Sequence, residues 1–277
     1  MKTIRLPSGE TIPALGIGTW FLGENGRQRA SELATIRTAL DSGVRLIDTA
    51  EMYGDGAAEE LVGEALAGRR NEAFIVSKVY PHNATLRGAI AACERSLKRL
   101  GTDHLDLYLL HWRGSVPFDE TLEAFARLQA AGKIRHFGVS NLDTDDMEEW
   151  YTTTGGNTCA TNQILYNLGR RGIELNLLPW LREHGIPLMA YSPIEQARLL
   201  HARELQQFSR ENGISPVHAA LGWLLANDDI IAIPRTGKPE HLREFLHAAE
   251  NPLTPEQLGA LGRLFPRPRH AIPLEML

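Results

Sequence analysis

The sequence lacks the features that would place it in several large classes of protein. It has two cysteines, Cys93 and Cys159, in no CxxC or metal-ligand spacing, which excludes a disulfide framework or a zinc ribbon. They read as reduced thiols, and the expected compartment is the cytoplasm. No apolar run approaches the ~20 residues that a membrane-spanning helix needs. Met1-Lys2-Thr3-Ile4-Arg5-Leu6-Pro7 has none of the apolar stretch of a secretory signal. Positive charge is also short: 29 Lys and Arg against 34 Asp and Glu leave a net charge of −5, so no global field attracts nucleic acid or an anionic bilayer. After the first strand-like segment, Gly16-Ile17-Gly18 lacks the third glycine of a dinucleotide-binding GxGxxG. No repeat, low-complexity tract or long linker suggests a domain boundary.

What remains is a globular composition, 43% hydrophobic and 23% charged, in 277 residues. That length suits one (β/α)₈ barrel of roughly 250 residues, and residues 1–277 are expected to form a single such domain. Residues 3–12 read as a small hairpin turning at Pro7-Ser8-Gly9-Glu10, a plug or lid on a larger body. Beyond it, short apolar strands alternate with helical spacing. Strands are expected at 15–20, 45–48, 74–79, 105–111, 134–139, 161–165, 187–191 and 230–233. Helices are expected at 27–42, 57–67, 85–100, 118–131, 144–150, 173–184, 202–212, 217–226, 239–249 and 255–264. Eight strands, each followed by helix and apolar enough to be buried on both faces, favour a closed α/β barrel over an open doubly wound sheet.

In such a barrel the chemistry lies at the carboxyl ends of the strands and in the loops that follow. Four residues stand there: Asp48 ending the second strand, Tyr53 five residues later, Lys78 ending the third and His111 ending the fourth. A carboxylate at the end of a buried strand calls for a cationic partner, and Lys78 supplies one. A phenol titrates near ~10 in water, and an adjacent ammonium is expected to lower that value. With Asp48 keeping Lys78 charged, Tyr53 becomes a general acid for a carbonyl oxygen, and neutral His111 a hydrogen-bond donor that orients the substrate. Trp20, Phe21, Met52, Tyr80 and Trp112 follow strand ends and are expected to wall a pocket. Two other chemistries use the same residues. Lys78 can form a Schiff base, as barrel aldolases do, and His111 can contribute to a metal site, although histidine is sparse at strand ends.

The motifs Gly18-Thr19-Trp20, Leu46-Ile47-Asp48-Thr49-Ala50 with Tyr53, Ser77-Lys78, Leu110-His111-Trp112, Gly138-Val139-Ser140-Asn141, Asn162-Gln163, Tyr191-Ser192-Pro193 and Ile233-Pro234-Arg235 occur in this order along nearly the whole chain. In this the sequence resembles the aldo-keto reductase family, and most of all its bacterial methylglyoxal-reductase-like branch. The resemblance implies a (β/α)₈ barrel that reduces carbonyls with NADPH. It assigns Asp48, Tyr53, Lys78 and His111 to the catalytic tetrad, with Tyr53 as proton donor. Gly18, Thr19 and Trp20 fall beside the cofactor, Ser140, Asn141 and Gln163 where the carboxamide is held, and Tyr191 where a ring stacks on the nicotinamide.

By the same resemblance Ser192, Ile194 and Gln196 fall where the pyrophosphate is wrapped, although Ile194-Glu195-Gln196-Ala197-Arg198 departs from the commoner glycine-containing loop. Arg235, Thr236, Lys238, His241 and Glu244 match the adenosine phosphate site, with Arg235 in place of a lysine, Thr236 in place of a serine and His241 in place of an arginine. A guanidinium and a hydroxyl suit a 2′-phosphate, hence NADPH over NADH. The short segment after His111 and the short stretch after Phe265 suggest an open mouth for small or aromatic aldehydes such as methylglyoxal. Monomers or weak dimers are expected, with related barrels that serve only as cofactor-binding subunits as the non-enzymatic alternative.

Overall fold

The computed structural model describes residues 1–277. A hairpin of β1 (Thr3–Arg5) and β2 (Thr11–Pro13) precedes a parallel eight-stranded sheet. The sheet and its helices follow as β3 (Gly16–Gly18), α1 (Arg29–Asp41), β4 (Leu46–Asp48), α2 (Ala57–Ala65), β5 (Phe74–Val79), α3 (Leu86–Leu100), β6 (Leu105–Leu110), α4 (Phe118–Ala130), β7 (Ile134–Ser140) and α5 (Thr144–Thr152). The second half runs β8 (Asn162–Leu165), α6 (Leu177–Glu183), β9 (Leu188–Tyr191), α7 (Arg203–Asn212), α8 (Pro216–Leu225), β10 (Ile230–Ile233), α9 (Pro239–Glu250) and α10 (Pro255–Leu264). The strands neighbour one another in chain order from β3 to β10. The last meets the first through bridges Leu15–Ala232 and Gly18–Arg235, and the Gly18 amide donates to the Pro234 carbonyl at 3.0 Å. The sheet is thus the closed (β/α)₈ barrel expected from the sequence.

Local chemistry sets the element limits. Thr85 accepts a hydrogen bond from the Gly88 amide at the start of α3, and Gly101, at φ 63°, ends it in the left-handed conformation that glycine adopts freely. The helix expected over 173–184 is interrupted. Pro179 has no N–H to donate to Leu175, so α6 begins only at Leu177, with the proline in its first turn. A 3₁₀ turn, Gly172–Leu175, precedes it, and Asn176 breaks the path at φ −140°, ψ −68°.

β5 and β6 are buried along their whole lengths, consistent with strands covered by helices outside and by packed side chains within. The hairpin closes the floor of the barrel. Ile4, Leu6 and Ile12 are buried beneath it, and Glu10 pairs with Arg135 and His136 at the start of β7. It is a plug at the end opposite the strand termini, not a lid over the mouth.

Candidate active site

Strand register brings the candidate residues onto one face. Asp48 pairs with Val76, so Lys78, two residues beyond Val76, shares its inward face one layer higher. Lys78 pairs with Leu109, which places His111 another layer up on that face. The same counting carries through Ser140, paired with Gln163, and Gln163, paired with Met189. Across the closure, Gly18 pairs with both Asp48 and Arg235. The alternate residues Ser77 and Tyr108 point outward, where Ser77 bonds Glu59 of α2 and Tyr108 meets Phe125 of α4. A one-residue slip in any of these pairs would turn its polar group out into the helix layer.

Lys78 is fully buried, and its ammonium donates to Asp48 Oδ2 at 2.8 Å, the Thr49 carbonyl at 2.8 Å and Tyr53 Oη at 3.1 Å. All three donors are used. Gln163 Nε2 holds the other Asp48 oxygen at 2.8 Å. Burial pushes the Lys78 ammonium down and the Asp48 carboxyl up; each opposes the shift in the other, and the pair stands as an ion pair. Burial, reinforced by the Asp48 charge, raises the Tyr53 phenol well above its ordinary value. The lowered value expected from the sequence is therefore not the resting condition: Tyr53 rests as a neutral phenol whose oxygen touches an ammonium. Burial, with Lys78 second, depresses the His111 imidazole well below its ordinary value and keeps it neutral. Its ring lies edge-on to that of Tyr53 at 5.9 Å, and its Nδ1 has no partner in the chain.

These groups open into a cavity of about 580 Å³ at the carboxyl ends of the strands. Of the expected site residues, its wall includes Gly18, Trp20, Asp48, Tyr53, His111, Ser140, Asn141, Gln163 and Tyr191, and beyond them Ser192, Ile194, Gln196, Arg235, His241 and Glu244. Asn141 Oδ1 accepts from Tyr191 Oη at 3.0 Å, while Asn141 Nδ2 donates to the His111 carbonyl at 3.2 Å. Among the aromatic candidates, Trp20 and Phe21 stack at 4.4 Å, and Met52 and Trp112 complete that side. Tyr80 does not line the cavity. It stands edge-on to Trp112 at 5.8 Å and beside His82 at 4.7 Å, a support for the wall.

Three other expected residues act from outside the wall. Thr19 sends its hydroxyl to the Asp48 carbonyl at 2.9 Å and pins the end of β4. The Thr236 hydroxyl is engaged with the Lys238 backbone, accepting from its amide at 3.0 Å, and approaches His241 at 3.4 Å. Lys238 is exposed at the start of α9. Arg235, by contrast on the wall itself and exposed, donates Nε to the Trp20 carbonyl at 2.9 Å.

A family model described as the Aldo/keto reductase family matches residues 14–264. The chain belongs to the aldo/keto reductase family. It is 46% identical to methylglyoxal reductase YeaE of Escherichia coli K12, over 100% of this chain and 99% of that one. It is 30% identical to methylglyoxal reductase DkgB of Salmonella typhimurium over 92% of this chain and 93% of that one. An aldo/keto reductase from Klebsiella pneumoniae, crystallised in complex with NADP and acetate, matches with a TM-score of 0.96 and 46% identity, covering 100% of this chain and 99% of that chain. As an aldo-keto reductase the protein is an oxidoreductase. The aldolase alternative also loses its support in the geometry, since Lys78 Nζ is buried beneath Tyr53 with every donor bonded. No three His, Cys, Asp or Glu side chains converge as metal ligands.

Several contributors to the site of this aldo-keto reductase escape sequence reasoning. Met276 and Leu277 return to the cavity wall, and the Leu277 amide reaches Tyr191 Oη at 3.4 Å. The mouth is therefore partly covered and not open as expected. Glu51 is buried and accepts from the Tyr80 amide at 2.9 Å and Asn83 Nδ2 at 3.0 Å, fixing the loop that backs Trp112. Only its place beside Tyr53 in the sequence hinted at such a part.

Left-handed backbone in residues other than glycine is concentrated at this end of the barrel. All seven non-glycine residues with positive φ, Phe21, Asp55, Asn141, Ser192, Glu195, Gln196 and Ala197, lie in loops after strand ends. Three of them are consecutive, at φ 51°, 52° and 70° for Glu195, Gln196 and Ala197, each costing roughly 1–2 kcal/mol. The segment that lacks the family's commoner glycine nevertheless takes a glycine-like path. Glu195 holds it there, accepting from Asn167 at 2.8 Å, Arg170 at 2.9 Å and Arg198 at 3.1 Å. Burial tends to raise the Glu195 carboxyl, but these donors, Arg170 foremost, outweigh it and hold it below its ordinary value.

Proposed function

We propose that the chain, acting as one catalytic domain over 1–277, reduces aldehydes and some ketones to alcohols with NADPH, and that Tyr53 delivers the proton. The observation that carries this reading is the contact of Tyr53 Oη with Lys78 Nζ at 3.1 Å on the wall of a cavity faced by neutral His111. A phenol that rests protonated is a ready acid. As its proton moves to the carbonyl oxygen, the phenolate left behind gains the ammonium already in contact with it. Asp48 keeps Lys78 charged against burial, and His111, neutral and on the cavity wall, orients the carbonyl oxygen as a hydrogen-bond donor.

The residues present fit a nicotinamide dinucleotide. Ser140, Asn141 and Gln163 offer amide and hydroxyl groups next to the Tyr191 ring, suited to a carboxamide on a flat heterocycle. The Ser192 to Gln196 segment would wrap the pyrophosphate, and Glu244 would meet the adenine. Arg235, with Lys238 and Arg243 exposed nearby, supplies the positive charge that a 2′-phosphate requires; Thr236 sets the turn that presents them. When bound, NADPH supplies the hydride to the carbonyl carbon.

Substrates are read from the apolar wall of Trp20, Phe21, Met52 and Trp112, which suits uncharged carbonyls such as methylglyoxal or aromatic aldehydes. The relatives named methylglyoxal reductases support the first of these. No helix is long and apolar enough to cross a membrane, and both cysteines are buried and free. We place the enzyme in the cytoplasm as a monomer or weak dimer, working on small molecules and not on nucleic acid. The test is NADPH oxidation over a panel of aldehydes and ketones with NADH in parallel. Carbonyl-dependent consumption that prefers NADPH is expected. Equal or better use of NADH rejects the cofactor assignment, and no consumption with any carbonyl rejects the reductase reading.

A further inference from the structure

Arg170 lies outside the cavity, in the loop after β8, and grips two segments that each form part of the wall. Nε and Nη2 donate to Glu195 Oε1 at 3.1 and 2.9 Å, within the left-handed turn. Nη1 donates to Glu275, the residue immediately before Met276 and Leu277. The circuit closes on itself. Leu277 reaches Tyr191 through its amide, and Tyr191 leads directly into Ser192, whose carbonyl accepts from Asn167 at 2.9 Å; Asn167 also holds the second Glu195 oxygen at 2.8 Å. A single guanidinium thus joins the strained 192–198 segment to the carboxy-terminal residues that cover the substrate end.

We propose that Arg170 is a positioning residue that couples the cofactor loop to the carboxy-terminal tail, so that cofactor binding orders the substrate end of the cavity. The proposal rests on the reading that 192–198 closes over the pyrophosphate. Glu195, Gln196 and Ala197 hold a conformation they adopt only under constraint, and Arg170 supplies both a constraint and an outlet to the tail. Tightening one arm of a forked, planar guanidinium fixes the other in direction as well as in distance. By reciprocity, occupancy of the substrate end then strengthens cofactor binding by the same factor.

Hydrogen exchange of the peptide spanning 268–277, with and without NADPH, tests this in the wild type, Arg170→Met, Arg170→Lys and Glu275→Gln, with NADPH affinity read separately from quenching of tryptophan fluorescence. In the wild type NADPH is expected to slow tail exchange about fivefold, the low end of typical coupling. Arg170→Met should abolish that protection and Arg170→Lys restore part of it. Glu275→Gln, which leaves the loop's own contacts intact, should lose the protection and, by the same linkage, bind NADPH to the apoenzyme no more than about fivefold more weakly than the wild type. Tail protection that persists in Glu275→Gln, or wild-type enzyme that binds NADPH without protecting its tail, overturns the coupling. Failure of the wild type to bind NADPH at all would instead overturn the functional reading beneath it.

Discussion

At the Tyr53 end of the cavity Lys78 makes three hydrogen bonds from a fully buried position, whereas at the Glu244 end the exposed Arg235 makes one side-chain bond, to the Trp20 carbonyl. The first end is built on paired strands, where register fixes each side chain and neighbours satisfy it. The second is built on a turn and a helix start, with its cations facing solvent. Groups that perform chemistry need fixed geometry and shifted protonation, and both come from burial on strands. Groups that capture a phosphate need accessible charge. A substitution at the first end should therefore remove turnover and, where the ion pair is touched, stability; one at the second should weaken cofactor binding and leave the fold alone.

The largest effect is expected for Lys78→Met. It removes the ammonium from Tyr53 and leaves Asp48 buried without its cation, so stability falls by about 3–5 kcal/mol in urea unfolding. Turnover is lost as well. Tyr53→Phe separates the two consequences. Turnover with methylglyoxal should drop by roughly 10²–10⁴, the range for loss of a positioned general acid, while NADPH affinity and melting temperature stay close to wild type. Tyr53→Phe with near-wild-type kcat would remove the proton-donor assignment. Arg235→Ala probes the opposite end, where the NADPH Kd should rise about tenfold with little change in kcat or melting temperature, as for loss of a charge-assisted hydrogen bond. An unchanged Kd would shift the phosphate contact to Lys238 or Arg243.

The pH dependence of stability sharpens the same contrast, because His111 is buried neutral and the exposed groups are not. Its folded pKa lies well below the unfolded value of about 6.5. Below that pH the unfolded chain takes a proton that the buried ring refuses, so the unfolded state binds more protons and stability falls with acidification. The slope from this one group approaches about 1.4 kcal/mol per pH unit. His111→Gln should flatten the decline in melting temperature between pH 6.5 and 5. A decline as steep in the variant as in the wild type would show that the ring is not held neutral.

The barrel was legible because its strands are short, apolar and punctuated; Thr85 and Gly101 even mark the two ends of α3 in the sequence. The convergence of Asp48, Lys78 and His111 was legible because they end successive strands, and register does the rest. Position along the chain, however, says nothing of which way a loop residue turns. Tyr80 follows a strand end as Trp112 does, yet it stands behind that ring and not beside the cavity. The tail looked too short to matter, because its return to Tyr191 depends on contacts of Glu275 and Leu277 far away in sequence. The direction of the Tyr53 shift was misjudged because charge was weighed without burial.

Between the two ends lies the 192–198 segment, and the smallest effect is expected there. Ala197 holds φ 70° with a methyl side chain and no side-chain hydrogen bond of its own. In Ala197→Gly the left-handed strain of roughly 1–2 kcal/mol is released, while the greater freedom of glycine in the unfolded chain takes back about 0.5–1 kcal/mol. The balance is a gain of around 0.5–1 kcal/mol, read as a melting temperature a few degrees higher at most. None of Asp48, Tyr53, Lys78 and His111 is touched, so kcat should stay near wild type. A clear loss of stability would mean that contacts of the methyl group, and not only the Glu195 bonds, hold the turn. The segment would then belong with the packed Tyr53 end of the comparison and not with its exposed partner.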